Sequence, residues 1–407
     1  MQHAIVLALD GLSSSILGPY GNTWLETPAF NKLADESLLA QQMIADSPDL
    51  ESLYQSFWHG THAAMPAELR REPAPLPEQL AIQDVLTTLI SDDETVMSYG
   101  EKLGFDEICQ VPTLSPAGPA SSIAETQLAR VFATAVEHLA TTLASSERPR
   151  LVWIHAAALR HSWDAPQSIR QQLADEEDPQ VPDLVEPPSL FSAEPFDPDT
   201  MLGWSQCYAG EVVALDECLN WLLSEMEKLP QLAESMFITT SPRGFPLGVH
   251  GHVGNCCPAL YADLVQVPTL IRLPASLAEG SREYDLVQSA DLFQVVCQWF
   301  GIEIAAPCRF GLLNPDSSPN RTGSFSYSVN AGSTAIRTPA WFCRFPSEGE
   351  IELFAKPDDV WEINEVATLR PDVVEAMTLF QQKLQQSYQS SSPVPPELPE
   401  LLADHWH

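Results

Sequence analysis

Positive charge is what this 407-residue chain has least of: 20 Lys and Arg stand against 55 Asp and Glu, a formal net charge of -35 at pH 7. Such a surface repels phosphate backbones and anionic headgroups, so neither nucleic acid nor a membrane is expected as a partner. The charge is that of a solvated exterior. No apolar run approaches the roughly 20 residues that span a bilayer. No basic segment precedes the first apolar run, so no secretory leader is read and a cytoplasmic location is expected. The eight cysteines, Cys109, Cys207, Cys218, Cys256, Cys257, Cys297, Cys308 and Cys343, include no C-x-x-C pair. They read as small buried residues in a reducing compartment, the adjacent Cys256 and Cys257 included. There is no internal repeat.

Apolar residues, at 44% of the chain, suffice for one large core. Residues 4–10 form a continuous apolar run ending in Asp10. That is the pattern of a strand buried in a parallel sheet with a functional residue at its carboxyl end. Thr27-Pro28 reads as the N-cap and first-turn proline of a helix reaching about residue 39. Helical spacing covers residues 79–90, 121–145, 206–229 and 289–300. Short strands are expected at 95–99, 151–155, 235–240 and 267–273. The alternation predicts a doubly wound α/β sheet. Residues 175–200, rich in Pro, Asp and Glu, read as a long surface excursion. Beyond about residue 315, strands at 324–329, 334–338, 341–345 and 350–354 and a helix over 371–388 predict a small antiparallel subdomain. The expected division is 1–315, 316–390 and a proline-rich tail, 391–407, that wraps or frays.

Several short segments recur in a telling order. Ile5 to Leu12 leads into Tyr20-Gly21-Asn22 and Thr27-Pro28. Trp153-Ile154-His155 precedes His161 and Pro166. Tyr208-Ala209-Gly210-Glu211 precedes Asp216-Glu217. Phe237-Ile238-Thr239-Thr240-Ser241 precedes Gly244, Gly248 and His250-Gly251, followed by Leu260-Tyr261, Val267-Pro268 and Ile271-Arg272-Leu273-Pro274. In that order and spacing the chain resembles the type I sulfatases of the alkaline phosphatase superfamily, over most of its length. The resemblance implies an alkaline-phosphatase-like α/β/α sandwich with a mostly parallel central sheet and a small C-terminal α+β subdomain. It also implies sulfuric-ester hydrolysis by a formylglycine made from Cys or Ser in a C/S-x-P-x-R motif, beside a calcium ion held by strand-end oxygens.

The residues that would carry this chemistry are replaced. Asp10 keeps the first of two consecutive family Asp, but Gly11 stands at the second. Ser241 is followed by Pro242-Arg243, where the family has Asp and then His or Asn. One carboxylate does not hold an ion that takes about 6–8 oxygens, so calcium, expected in the family, is not expected here. Alignment on Ser47-Pro48 puts Leu50 at the nucleophile and Tyr54 at the motif arginine. A register shift that promotes Ser47 or Ser52 does not restore the motif. Asn255 falls at a family lysine.

Leu50, Tyr54, Arg243, Asn255 and His155 are therefore expected to line the cleft. His161 and His250 are either leftover acid–base groups or loop-holding hydrogen bonders. Asp10 either accepts backbone N–H groups or pairs with Arg243 in place of a metal. His59 with His62, and His250 with His252, offer imidazoles at spacings that also occur by accident.

Three functions remain open: a pseudoenzyme or binding protein for a small anionic or sugar-like ligand, an active sulfate- or phosphate-ester hydrolase with a rearranged site, and a structural partner of an active paralogue. The sequence leaves the oligomeric state undetermined.

Overall fold

A computed structural model describes residues 2–69, 74–143, 145–254, 259–304, 325–390 and 393–404. The chain divides into two compact units. The first comprises 1–39, 80–257 and 267–282, and the second 40–79, 258–266 and 283–407. This differs from a cut near residue 315, itself outside the described residues. The second unit draws in earlier chain because Met65 shares its core with Phe325, Tyr327 and Trp341.

The strands are β1 (His3–Leu9), β2 (Leu38–Ile44), β3 (Leu86–Ser91), β4 (Glu107–Gln110), β5 (Arg150–Ala156), β6 (Ser189–Phe191), β7 (Met236–Thr240), β8 (His252–Gly254), β9 (Gln266–Arg272), β10 (Arg282–Gln288), β11 (Ser326–Asn330), β12 (Ser333–Arg337), β13 (Trp341–Phe345) and β14 (Glu352–Ala355). In the first unit the order is β9-β7-β1-β5-β3-β4. The pairs from β7 to β4 are parallel, and β9 runs antiparallel to β7. Every residue of β1 is buried, as its unbroken apolar run requires of a strand covered on both faces.

The helix Pro198–Glu227 spans this unit. Asp197 caps it by accepting the Thr200 N–H. Lower on the same helix, Asp216 accepts the N–H groups of Ala29 and Phe30, each at 3.0 Å, and so caps the helix Pro28–Asp35 from 187 residues away in sequence. Thr27, expected as that cap, instead accepts the Gly18 N–H with its hydroxyl. A carboxylate at a helix N-terminus also meets the positive end of the helix dipole.

Residues 175–200 are an excursion, but a fastened one. Buried Arg170 donates to the carbonyls of Leu184 (2.8 Å) and Trp163 (2.7 Å) and pairs with Glu211 at 3.2 Å. Strand β6 pairs with β8.

Four local expectations change. Residues 95–99 lie in a helix, Glu94–Leu103, because Asp93 caps it at Val96 N–H and Gly104 closes it in the left-handed region. Residues 79–90 split into a helix, Leu76–Ile82, and buried β3, where Leu86-Thr87-Thr88-Leu89 favours a strand. The long helical reading of 121–145 narrows to Gln127–His138, followed by wider π-type turns. The helix expected to reach about residue 39 ends at Asp35, with β2 starting at Leu38, and β4, β6, β8 and β10 had no matching expectation.

In the second unit β2 lies beside β10, and β11 to β14 form an antiparallel meander. The helix Pro371–Tyr388 lays Val373, Met377, Phe380 and Leu384 against that sheet's core, one face at helical spacing. The chain's last segment does not fray throughout: Leu402 is fully buried in this core, and the Trp341 indole N–H donates to the Leu401 carbonyl at 3.1 Å. Among the described residues no helix is long and apolar enough to cross a membrane. Cys109, Cys207, Cys218, Cys297 and Cys343 are free thiols, all but Cys109 buried.

Candidate functional site at the strand ends

Asp10 follows directly on β1, and its N–H donates to the Ala156 carbonyl at the end of β5 (3.0 Å). Parallel register therefore brings the carboxyl ends of β1, β5 and β7 together, the position where open α/β sheets gather functional groups. Three residues past β7, Arg243 turns back onto Asp10. Its Nε and one terminal nitrogen donate to the two carboxylate oxygens, each at 3.0 Å. This is a fork-on-fork pair with both Asp10 oxygens engaged. Asp10 is 3% exposed and Arg243 20%.

The backbone is locked around the pair. Gly11 N–H donates to the Arg243 carbonyl at 3.0 Å, and the Ser241 hydroxyl donates to the same oxygen at 2.7 Å. The Tyr208 hydroxyl donates to the Gly11 carbonyl (2.8 Å) and accepts the Ser13 N–H (3.1 Å). Gly11 sits at φ +88°, and a β-carbon there would stand 2.6 Å from Cγ of Arg160. An Asp at this position would meet both a backbone cost of about 1–3 kcal/mol and a steric clash. The packing around Gly11 thus disfavours a carboxylate at this position.

Two guanidinium groups act on Asp10. Burial opposes its ionisation, but Arg243 first and Arg160 next outweigh that, and they hold the carboxyl below its ordinary range. Arg160 donates to the Gly244 carbonyl at 2.8 Å and lies over the Phe245 ring. His155, expected to line the cleft, is fully buried within β5. Burial pushes its pKa down, against the pull of Asp10, Asp93 and Asp92. Asp92 itself accepts the Ala157 N–H and the Gln127 amide.

The other expected residues are placed as follows. His161 is exposed at the end of the short turn Ala158–Arg160, and His250 is half-buried on the loop before β8. Asn255 lies outside the described residues. Leu50 and Tyr54 belong to the helix Leu50–His59 of the second unit. There both are buried, Tyr54 against Phe57 and Trp58. They do not line a surface cleft, because the apolar face of that helix carries them inward. The polar positions Ser47, Asp49 and Ser52 face the unit's open cleft of about 940 Å³ instead. Arg160 and Asp92 were not singled out from sequence, and Tyr208 was noted only as part of a family-like segment. A glycine directly after a strand-end Asp was the available signal, since it marks a close approach by another chain segment.

The sulfatase family model matches residues 2–302, and the chain belongs to the sulfatase family. Among characterised relatives, N-acetylglucosamine-6-O-sulfatase of Bacteroides thetaiotaomicron is 28% identical over 108 residues. That stretch covers 26% of this chain and only 19% of the relative. The solved structure of phosphonate monoester hydrolase from Agrobacterium radiobacter superposes with a TM-score of 0.74 at 14% identity, covering 98% of both chains. BT4656, in complex with its substrate D-glucosamine-2-N,6-O-disulfate, superposes with a TM-score of 0.73 at 15% identity, over 95% of this chain and 98% of that one. At these identities the superpositions establish the fold.

Proposed function

We propose that this sulfatase-family protein binds a small sulfate- or phosphate-bearing ligand, sugar-like in the remainder, without hydrolysing it. The observation that carries the reading is the Arg243 fork on Asp10. A family calcium ion takes about 6–8 oxygens. Here the strand-end donors are one carboxylate with both oxygens on an arginine, a glycine with no room for a side chain, and a proline. These residues do not fit the ion. Leu50, at the position the resemblance assigns to the nucleophile, has no attacking atom. What the strand ends offer instead is two guanidinium groups, Arg243 and Arg160, beside Asp10, and the one-fifth-exposed Arg243 is the group an anionic ligand would meet.

The test uses the full chain. Aryl sulfate and aryl phosphate esters are offered with calcium, manganese or zinc, and turnover no greater than that of an Asp10→Asn control is expected. N-acetylglucosamine-6-sulfate is expected to raise the melting temperature of the wild type but not of Arg243→Met. Turnover above the control, or stoichiometric calcium lost on Asp10→Asn, sinks the reading. It would favour the second one, an ester hydrolase with a rearranged site, which the partial identity to a sulfatase supports.

A further inference from the structure

Across the first unit's sheet from Asp10, strand β4 forms an edge. Glu107 and Cys109, two residues apart on it, share one face. The last residue of the helix Gln127–His138 comes down on that face. His138 Nδ1 lies 3.9 Å from Glu107 Oε1, and Cys109 Sγ lies 3.8 Å from the same oxygen. One ligand atom from each of the three residues falls within 4.8 Å of the others. We propose that Glu107, Cys109 and His138 form a binding site for a borderline transition-metal dication of the zinc or cobalt kind, separate from the strand-end pair.

The donor set is that of a tetrahedral N/O/S site with one position left for water. Bond lengths of about 2.0–2.3 Å imply ligand–ligand edges of about 3.3–3.6 Å. Closing the observed triangle, whose atoms lie within 4.8 Å of one another, to that size takes side-chain rotation. The surroundings favour it. Glu107 Oε2 is turned away toward Arg150 (3.6 Å) and Thr88 (3.5 Å), which leaves Oε1 facing sulfur and nitrogen. Burial, the largest influence on His138, pushes its pKa down and so favours the neutral imidazole that ligates, although Glu107 pulls the other way. Thr142 Oγ1, 3.4 Å from Nδ1, is the fourth polar atom present.

Burial and Glu107 push the Cys109 thiol up, so the metal-free site holds S–H. Binding breaks that bond, forms a metal–sulfur bond and releases one proton to solvent, with no change of oxidation state. Register separates this site from the strand-end pair of Asp10 and Arg243. Cys109 is level with Ile90, Ile154 and Leu7, so it lies three strands, roughly 14 Å, from β1.

The test titrates the full chain with cobalt(II) alone. One equivalent is expected to give a thiolate-to-cobalt charge-transfer band in the near ultraviolet, which zinc bleaches. Cys109→Ser is expected to abolish the band, and Glu107→Gln to weaken affinity about tenfold while keeping it. Asp10→Asn is expected to leave the band unchanged, which separates this site from the strand-end reading. Absence of the band in the wild type, or an undiminished band in Cys109→Ser, overturns the proposal. Should Cys109→Ser fail to fold, half-exposed Glu107→Gln decides it, and unchanged affinity there overturns the proposal as well.

Discussion

Two of the first unit's arginine–carboxylate pairs do different work. Arg170 and Glu211 are side chains 0% and 5% exposed, deep under the long helix. Arg170 spreads its donors over carbonyls of residues 163 and 184 as well as Glu211, so it ties one loop to the scaffold. Arg243 and Asp10 sit at the strand ends with the arginine one-fifth exposed, and they engage each other as a closed fork. The first pair is a structural lock, and its Glu211 stands in one of the family-like segments. The second occupies the place where the resemblance expects metal ligands, and its arginine keeps a face toward solvent. Burial and the number of backbone partners, not the ion pair itself, separate a scaffold element from a candidate site.

Breaking the lock should have the largest effect. Arg170→Met leaves the Leu184 and Trp163 carbonyls without their donor and is expected to cost about 3–5 kcal/mol in urea unfolding. It is also expected to open residues 175–200 to limited proteolysis.

The lock should also show in pH dependence. Burial pushes Glu211 up to about 8, against the Ala165 N–H and Arg170, from an ordinary 4.5. Between those values the folded state holds a proton that the unfolded chain has lost, so this group's contribution to stability falls as pH rises. The slope is at most about 1.4 kcal/mol per pH unit. Unfolding midpoints measured from about pH 5 to about pH 8 are expected to decline less steeply in Glu211→Gln. Equal slopes would remove Glu211 from the account.

The strand-end pair should be the softer of the two. Arg243→Met leaves Asp10 without its fork, but Arg160 remains and water can reach the gap. A loss of about 2 kcal/mol is expected, below that of Arg170→Met, together with loss of anion-induced stabilisation. A greater loss than Arg170→Met would reverse the comparison. The smallest effect belongs to Asp216→Ala, which uncaps the helix Pro28–Asp35. About 1–2 kcal/mol is expected by thermal melting, with the strand-end pair undisturbed.

Much of the fold was legible because buried parallel strands and capped helices write themselves locally. The apolar run before Asp10, the helix Pro371–Tyr388 and strands β5, β7, β9 and β13 were read within a residue or so. Elements lacking a one-residue signature were lost. The Val96, Met97 and Tyr99 cluster looks like a strand until the Asp93 cap and Gly104 are weighed. The edge strand β4 is half polar. At the site, Asp10 and Arg243 were readable as partners, but Leu50 and Tyr54 were expected to line a cleft that their helix turns them away from.

Sequence by itself determined the family and the parallel sheet, since each depends on residue type in order. Only tertiary structure decided that Gly11 has no room for a carboxylate beside Arg160, that Asp216 rather than Thr27 caps a helix 187 residues away, and that Glu107, Cys109 and His138 converge. Those depend on distances between segments far apart in the chain, which packing sets and local pattern does not encode.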